Sequence, residues 1–449
     1  MASIDSLSLS TLTSDKITKE QLMNQSKDDL NMDMKQDFTQ LSVYACDQIK
    51  NICATIGPRE PGSQQEFDAL KLMGKQLEQM ADKVEIEKFT IHKYAFLGFI
   101  PFSVVFLLYA IFMYWKHKPV YSLILILIAL TPMLFEFLLY YQFTDPLYPS
   151  QTSHNVIATI KPTGAVQRRI IIAGHADSQY EWIFTLLMGK YFITFILIPC
   201  FISIGLTFVA SCIEIMQMYF VHNSANNESL GQVHHIILMI LVSTVPQIIL
   251  MLFFWNPWKS IPGANDNLTG CYTSICTMKQ LVSSGIKLKN TELVVLLTGS
   301  EEIGIRGAKA YVKQHKKQLL DIPTLAVTVD TIHDCDQMSL LIRDLNGLCK
   351  NDLKSAEMIQ CAASNKCGVQ IPLKTIPMGS TDAAAFTQAG IKSASLTAMD
   401  LSCPRWYHTR LDNADNLVPQ AVQKSIEICY YTALLFDEFG FSDISKDSK

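Results

Sequence analysis

Three short apolar runs in this chain each end in a side chain able to bind a metal or move a proton. Arg169-Ile170-Ile171-Ile172-Ala173 leads into Gly174-His175-Ala176-Asp177-Ser178, the run Leu293 to Thr298 ends in Gly299-Ser300-Glu301-Glu302, and Leu325 to Val329 ends in Asp330. Two further pieces carry similar chemistry: Gly263-Ala264-Asn265-Asp266-Asn267-Leu268-Thr269-Gly270, which opens a helix, and Tyr407-His408-Thr409 near the end of the chain. In open α/β sheets ligands bind beyond the carboxyl ends of the strands, where these residues would fall. Singly, a histidine after a strand is an ordinary hydrogen-bonded group and paired glutamates are an ordinary helix start. Together they supply two histidines and three carboxylates, donor types that hold hydrolytic zinc, with one carboxylate to spare.

The elements that must gather these residues come from a chain of 449 residues, of which 17% are charged and 49% hydrophobic. Soluble proteins carry about 25% charged residues, and the mean hydropathy here is +0.20, so some segments belong in lipid. With 20 Gly and 17 Pro and no recurring period, disorder, collagen and coiled coil are excluded for the whole chain. A formal net charge of −4 leaves no basic footprint for nucleic acid. The 12 cysteines are scattered without a C-x-x-C pair, and read as small buried hydrophobes in a reducing compartment.

Four runs are long enough to cross a bilayer, which takes about 20 apolar residues: Ala95 to Trp115, Val120 to Phe143, Phe192 to about Phe220, and Ile236 to Trp255. They pair into two helical hairpins, and Tyr114, Trp115, Tyr141, Tyr219 and Trp255 fall where an interfacial aromatic belt would. Buried helices of a soluble protein would show an amphipathic stripe and rarely run so far without charge. Glu136 and Glu214 are expected to be neutral, or paired between helices or near the interface. Lysines are nearly balanced between the two sides: Lys93, Lys190 and Lys259 against Lys116 and Lys118. The polar stretch before the first span has no signal-peptide pattern, and with the unpaired cysteines it points to a catalytic domain on the cytoplasmic side.

Outside the spans, apolar residues recur at helical spacing over Phe38 to Ile56, Phe67 to Met80, Gly270 to Ser284, Gly307 to Leu320, Leu353 to Ala363 and Pro419 to Phe439. Short β-branched runs cover Val84 to Ile91, Val156 to Ile160, Arg169 to Ala173, Glu292 to Thr298 and Leu325 to Val329. This alternation predicts an α/β fold, a partly parallel, mixed sheet sandwiched by helices and interrupted by the two hairpins. The expected organisation is a polar mobile tail (1–35), a discontinuous catalytic domain (36–94, 144–190 and 256–441), transmembrane hairpins (95–143 and 191–255) and a polar C-terminal tail (442–449).

In this order the motifs resemble the aminopeptidase Y family of co-catalytic zinc exopeptidases, whose relatives include glutamate carboxypeptidases, glutaminyl cyclases and the inactive transferrin-receptor ectodomain. The matching pieces are Gly57-Pro58-Arg59 with Pro61-Gly62-Ser63, the His175, Asp266, Glu301-Glu302 (with Ile303-Gly304 and Gly307) and Asp330 motifs, Ser380-Thr381-Asp382 with Phe386 and Gly390-Ile391, and Tyr407-His408-Thr409 with Asp412 and Asp415-Asn416. They extend from about Phe38 to Phe439. The resemblance implies two Zn2+ ions, one on His175 and Asp330 and the other on Glu302 and His408, with Asp266 bridging both. Glu301 would be the general base, Asp177 would orient the His175 imidazole, and Tyr407 would donate a hydrogen bond to the tetrahedral oxyanion. It also implies a cis peptide bond between Asp266 and Asn267. The sequon Asn267-Leu268-Thr269 is then accidental, because a glycan there would block the site; Asn227-Glu228-Ser229 matches the same pattern without deciding the orientation.

The implied activity is a membrane-anchored zinc aminopeptidase that hydrolyses the N-terminal bond of a peptide, with peptide and lipid bilayer as partners. Glutaminyl-cyclase chemistry uses one zinc and no hydrolytic water, which the full donor set argues against. A carboxypeptidase or dipeptidase of the same fold would need a cation for the substrate carboxylate, for which Arg306, Arg405 and Arg410 are candidates. A non-catalytic membrane receptor or scaffold is the other alternative. The chain departs from the family in the spacing of His175 and Asp266, which the second hairpin separates; the active-site rim is therefore expected near the lipid surface.

Overall fold

The computed structural model describes residues 29–220 and 227–441. Its strands, in chain order, are β1 (Lys83–Ile91), β2 (Gln151–Ile160), β3 (Arg168–His175), β4 (Tyr180–Trp182), β5 (Trp255–Ser260), β6 (Thr291–Thr298), β7 (Thr324–Ile332), β8 (Met338–Asp344), β9 (Cys349–Lys350), β10 (Leu373–Thr375) and β11 (Lys392–Ala398). Nine of them form one mixed sheet in the order β1-β2-β6-β3-β7-β11-β8-β10, with β9 on β8. The central four, β6, β3, β7 and β11, run parallel. Both faces of these strands are covered, so they are apolar at nearly every position. Ile170 and Ile172 pack into the cluster on one face, and Ile171 and Ala173 into that on the other.

Helices α1 (Asp29–Thr55), α2 (Gln64–Leu77), α3 (Thr269–Ser283), α5 (Leu353–Cys367) and α7 (Pro419–Phe439) cover the first face. Helices α4 (Arg306–Asp321) and α6 (Ala383–Gln388) cover the second, and the same apolar cluster continues without a break into the hairpins. The elements read from periodicity are present, most with ends shifted by one or two residues. Helix α1 begins at Asp29, inside the stretch read as a polar tail; residues 1–28 and 442–449 of the two expected tails lie outside the described residues.

Among the described residues, four helices are long and apolar enough to cross a membrane: span 1 (Ala95–Trp115), span 2 (Pro119–Leu138), span 3 (Ile193–Tyr219) and span 4 (Gly231–Phe253). Each hairpin leaves and returns through paired antiparallel strands. β1 enters span 1 and β2 follows span 2, with Ile91 opposite Gln151; β4 precedes span 3 and β5 follows span 4, with Trp182 opposite Trp255. Because the ends of each insertion are already adjacent, the body can host it as it would a long loop. Large apolar side chains face outward from the spans, among them Phe102, Val105, Tyr121, Phe195 and Met239. Inside, the Ser211 hydroxyl reaches Ser122 at 2.9 Å and links span 3 to span 2, the kind of polar contact that joins helices in lipid.

The end of span 2 is tied to the soluble body by side chains. Asn346 Nδ2 donates to the Phe137 and Leu138 carbonyls, both at 3.2 Å, and Lys309 Nζ donates to the Tyr140 carbonyl, so carbonyls left open at the helix end are satisfied. Glu136 is paired, although with the body rather than another span: Arg306 Nη2 lies 3.2 Å from it and the Thr144 N–H donates to it at 2.8 Å. Arg306 also grips Asp145 through both terminal nitrogens at 2.6 Å. Glu214 pairs between helices, 2.6 Å from His234 Nδ1.

Removing Arg306 strands a buried carboxylate, a change that costs about 3–5 kcal/mol. Arg306→Leu is expected to lower the apparent Tm of the detergent-solubilised protein strongly, and Arg306→Leu with Glu136→Gln to lower it less than the single change. Equal losses would show that the stranded Glu136 carboxylate carries no cost.

Candidate active site

The parallel strands end at one level and carry the reactive groups with them. His175 is the last residue of β3, opposite Thr298 at the end of β6, beyond which the chain turns through Gly299-Ser300 to Glu301 and Glu302. Asp330 lies near the end of β7, opposite Thr397 of β11, and His408 sits in the loop after β11. Asp266 comes from the turn before α3. That turn presses onto the strands because two positions lack a side chain: a Cβ on Gly174 would lie 2.4 Å from the Gly270 backbone, and one on Gly270 would lie 2.2 Å from the Val329 carbonyl oxygen. The Asp266–Asn267 peptide bond is cis, the isomer the resemblance implies. Ser300, Thr331 and His408 all adopt positive φ, at 56°, 54° and 54°, a conformation uncommon for such residues that concentrates at functional sites.

The Asp266 carboxylate stands between two sets of donors. Its Oδ1 is 3.3 Å from His175 Nε2, which is itself 3.9 Å from Asp330 Oδ1. Its Oδ2 is 2.9 Å from His408 Nε2, which is 3.4 Å from Glu302 Oε2. His175, Asp266 and Asp330 form one group able to hold a metal ion, and Asp266, Glu302 and His408 another. Glu301 belongs to neither; its Oε2 lies 3.8 Å from His175 Nε2. The residues singled out in the sequence therefore converge on one point.

A layer of buried groups holds this arrangement. Asp177 accepts the Glu301 N–H on Oδ1 and the Glu302 N–H on Oδ2, both at 3.0 Å, with Oδ1 also 3.4 Å from His175 Nδ1; it fixes the Glu301-Glu302 turn as well as facing the imidazole. Asp412 accepts from the Asn265 and Asp266 N–H groups at 2.8 and 3.0 Å. Gln179 Nε2 donates to Glu302 Oε2 at 2.8 Å. The fully buried Arg59 joins three segments by donating to the carbonyls of Ala176, Pro262 and Gly263 at 2.6, 2.6 and 2.7 Å. Glu66 takes the Ser300 N–H and hydroxyl on one oxygen and the Ser153 hydroxyl and Gly62 N–H on the other. Gln179 and Glu66 escaped the sequence reading. Glu66 was visible only as the third residue after the helix-capping Ser63, a spacing that reads as a capping box.

Charge in the cluster is unbalanced. Burial pushes the Asp330 carboxyl up to about 7 and that of Asp382 to about 6, with neighbouring carboxylates adding to the rise. Burial and the surrounding carboxylates also raise Glu301 and Glu302 well above the usual range. At Asp266 burial acts upward too, but hydrogen bonds from His175 and His408 outweigh it and hold the carboxyl low. Glu302 Oε1 is a buried acceptor without a hydrogen-bond partner among the described residues. Oxygen and imidazole donors, excess negative charge and an unsatisfied buried oxygen are what a divalent zinc ion would satisfy.

The donors line a cavity of about 590 Å³ with Gln179, Trp182, Met378, Ser380 and Tyr407. Tyr407 stacks on the His408 ring at 3.8 Å. Phe96, Phe137 and Tyr140 complete the wall, so the first hairpin roofs the cavity, while Trp182 of β4, which leads into the second hairpin, lines it from the other side. Among the described residues the lining contains no Lys or Arg. Arg306 is committed to Asp145 and Glu136, Arg410 to Glu181 at 2.5 and 2.6 Å, and Arg405 Nε to the Leu186 carbonyl at 3.0 Å.

Residues 244–433, about two fifths of the chain, match the model of peptidase family M28. That stretch holds Asp266, Glu301, Glu302, Asp330, Tyr407 and His408 but not His175 or Asp177. No curated protein matches the chain. Among solved structures, the fold is similar to that of BSAP, a zinc aminopeptidase from Bacillus subtilis, at 14% identity over 88% of this chain and 95% of that one, with a TM-score of 0.52. The aminopeptidase from Aneurinibacillus sp. strain AM-1 aligns at 14% identity over 90% and 95% with a TM-score of 0.51. The LapA aminopeptidase of Legionella pneumophila aligns at 11% over 90% and 74% with a TM-score of 0.50. The sequence match supports peptidase family M28, and the structural likeness bears on the fold.

Carboxyls raised in the folded state keep protons that the unfolded chain has already released, so their contribution to stability is present below the unfolded values and lost as pH rises. For chelator-treated protein, thermal stability is expected to fall from about pH 4 to about 8, as Asp330 passes from 3.8 to about 7 and Glu66 from 4.5 to about 8. Added Zn2+ should flatten the profile; a metal-free protein whose Tm rises across that window would contradict this electrostatic picture.

Proposed function

We propose that this chain is a zinc-dependent aminopeptidase of peptidase family M28, carried in a membrane by its four apolar helices. One observation bears most of the weight: the two oxygens of Asp266 each face a different histidine, at 3.3 and 2.9 Å, with Asp330 beside one and Glu302 beside the other. On this reading His175 and Asp330 would hold one zinc and Glu302 and His408 the other, with Asp266 available to both, the arrangement that the resemblance to the aminopeptidase Y family implies. When bound, such a pair of ions polarises the scissile carbonyl and acidifies a water molecule.

The chain's own residues supply the rest. Glu301 stands outside both donor groups with its backbone N–H fixed by Asp177, so its carboxylate is free to accept the proton of the attacking water and return it to the departing amine. Burial raises its affinity for that proton. Tyr407, stacked on His408, is the candidate donor to the developing oxyanion. Asp177 positions His175 and the Glu301-Glu302 turn together.

The amino-end reading is favoured over the carboxyl-end one by the lining. No cation among the described residues faces the cavity to hold a substrate carboxylate, and the three candidate arginines are engaged elsewhere, whereas surplus carboxylates suit a protonated amine. The retained general base and donor set favour an enzyme over a scaffold. The 12 free cysteines support a body on the reducing, cytoplasmic side.

Purified full-length protein with Zn2+ is expected to hydrolyse aminoacyl-p-nitroanilides and to leave their N-acetylated counterparts intact. A chelator should abolish the activity, and Glu301→Gln should lower kcat by about 10²–10⁴-fold, the usual contribution of a general base. Equal turnover of the blocked substrates would refute the amino-end assignment.

A further inference from the structure

A second cavity, of about 920 Å³, lies among all four spans. Its lining is almost wholly apolar, with Leu107, Ile204, Ile248 and Met251 among the side chains that contribute. The hydroxyl of Ser103 in its wall is already committed to the Ala129 carbonyl at 2.7 Å. Phe137, Trp182 and Met378 line this cavity and the catalytic one alike, so the two spaces share a wall of three side chains. Trp182 stands edge-on to His408 with ring centroids 4.3 Å apart. Its indole Nε1–H is buried without a hydrogen-bond partner among the described residues, although a buried indole usually finds one.

Rotation of Phe137, Trp182 or Met378 out of that shared wall would join a polar, reactive end to a long apolar end. We infer that the cavity between the spans receives an aliphatic chain of the substrate, attached within a few bonds of the amide that is cut beside Asp266. The preferred substrate class is then an amphiphile, an amino-terminal amide bearing a linear alkyl chain longer than any ordinary side chain, rather than a soluble peptide. The inference rests on the peptidase reading above. It accounts for the placement of the hairpins, which return to the body beside the catalytic cavity, the first of them building its roof from Phe96, Phe137 and Tyr140. A chain lying between the spans keeps its methylenes out of water while its polar head reaches the carboxylates.

The test uses the full chain in nanodiscs and two substrate series. In one the N-terminal residue carries a linear alkyl side chain of two to ten carbons with p-nitroaniline as leaving group; in the other alanine is joined to linear alkylamines of the same lengths. Burial of each added methylene should raise kcat/KM by about three- to fourfold until the cavity is filled, so at least one series should gain about thirtyfold or more, the effect of three buried methylenes, from short to long. Val104→Phe and, separately, Ile204→Phe, which fill the cavity from spans 1 and 3, should each reduce the ratio of long-chain to short-chain kcat/KM by about tenfold or more; two variants guard against one failing to fold. Because partitioning into the nanodisc is the same for each variant, the ratio reads the cavity itself. Neither series gaining with length, or a gain that both filled variants retain, would overturn the inference and leave the space to a bilayer lipid. Cleavage of the short alanyl substrates reports separately on the peptidase reading.

Discussion

Gathering carboxylates out of water is costly, since desolvation and mutual repulsion both oppose their charge. The fold nevertheless packs Asp266, Glu301 and Glu302 together in the interior with Asp330 close beside them, and offers two imidazoles but, among the described residues, no lysine or arginine at the cavity wall. Much of the surrounding polar structure exists to hold this unfavourable group in place. Asp177, Asp412 and Glu66 are themselves buried carboxyls; Asp177 and Asp412 spend both oxygens, and Glu66 one, on backbone N–H groups of the turns that present Asp266, Glu301 and Glu302. A cluster so arranged is complete only with added positive charge, which is why the proposed metal pair is more than a functional convenience.

The hairpins enter this picture as part of the wall. Because each is rooted in a pair of antiparallel strands, the sheet is built across the insertions as though they were loops, and the parallel strands keep their level ends. Yet the apolar cluster on that side of the sheet runs from Ile171 in β3 to Ala110 in span 1 without a gap. The ion pair of Arg306 with Glu136 and Asp145 marks the seam. Body and spans share one interior, so the environment of the candidate active site is set partly by residues of the apolar hairpins.

Much of this was legible in the chain because the reactive residues follow apolar runs. Arg169 to Ala173 and Leu325 to Val329 read as strands by composition alone, so His175 and Asp330 could be placed at strand ends. β11 could not, since Lys392-Ser393-Ala394-Ser395-Leu396-Thr397-Ala398 is small and polar and becomes a strand only by lying between β7 and β8. The pairing of β4 with β5 was hidden for a different reason: its partners are separated by the whole second hairpin. Local patterns also misdirect where one residue serves two purposes. Glu66 looks like a capping partner and Arg306 like a free cation, and only the packing shows the first beneath the Ser300 turn and the second locked to the membrane hairpin.

The claim on which the account turns is that Asp266 bridges two metal ions. Anomalous diffraction from crystals of the full-length, zinc-loaded protein, recorded on both sides of the zinc absorption edge, addresses it directly. The account predicts two peaks about 3.5–4 Å apart, one against His175 and Asp330 and one against Glu302 and His408, with an Asp266 oxygen on each. A single peak away from Asp266, or none at full zinc loading, would contradict it.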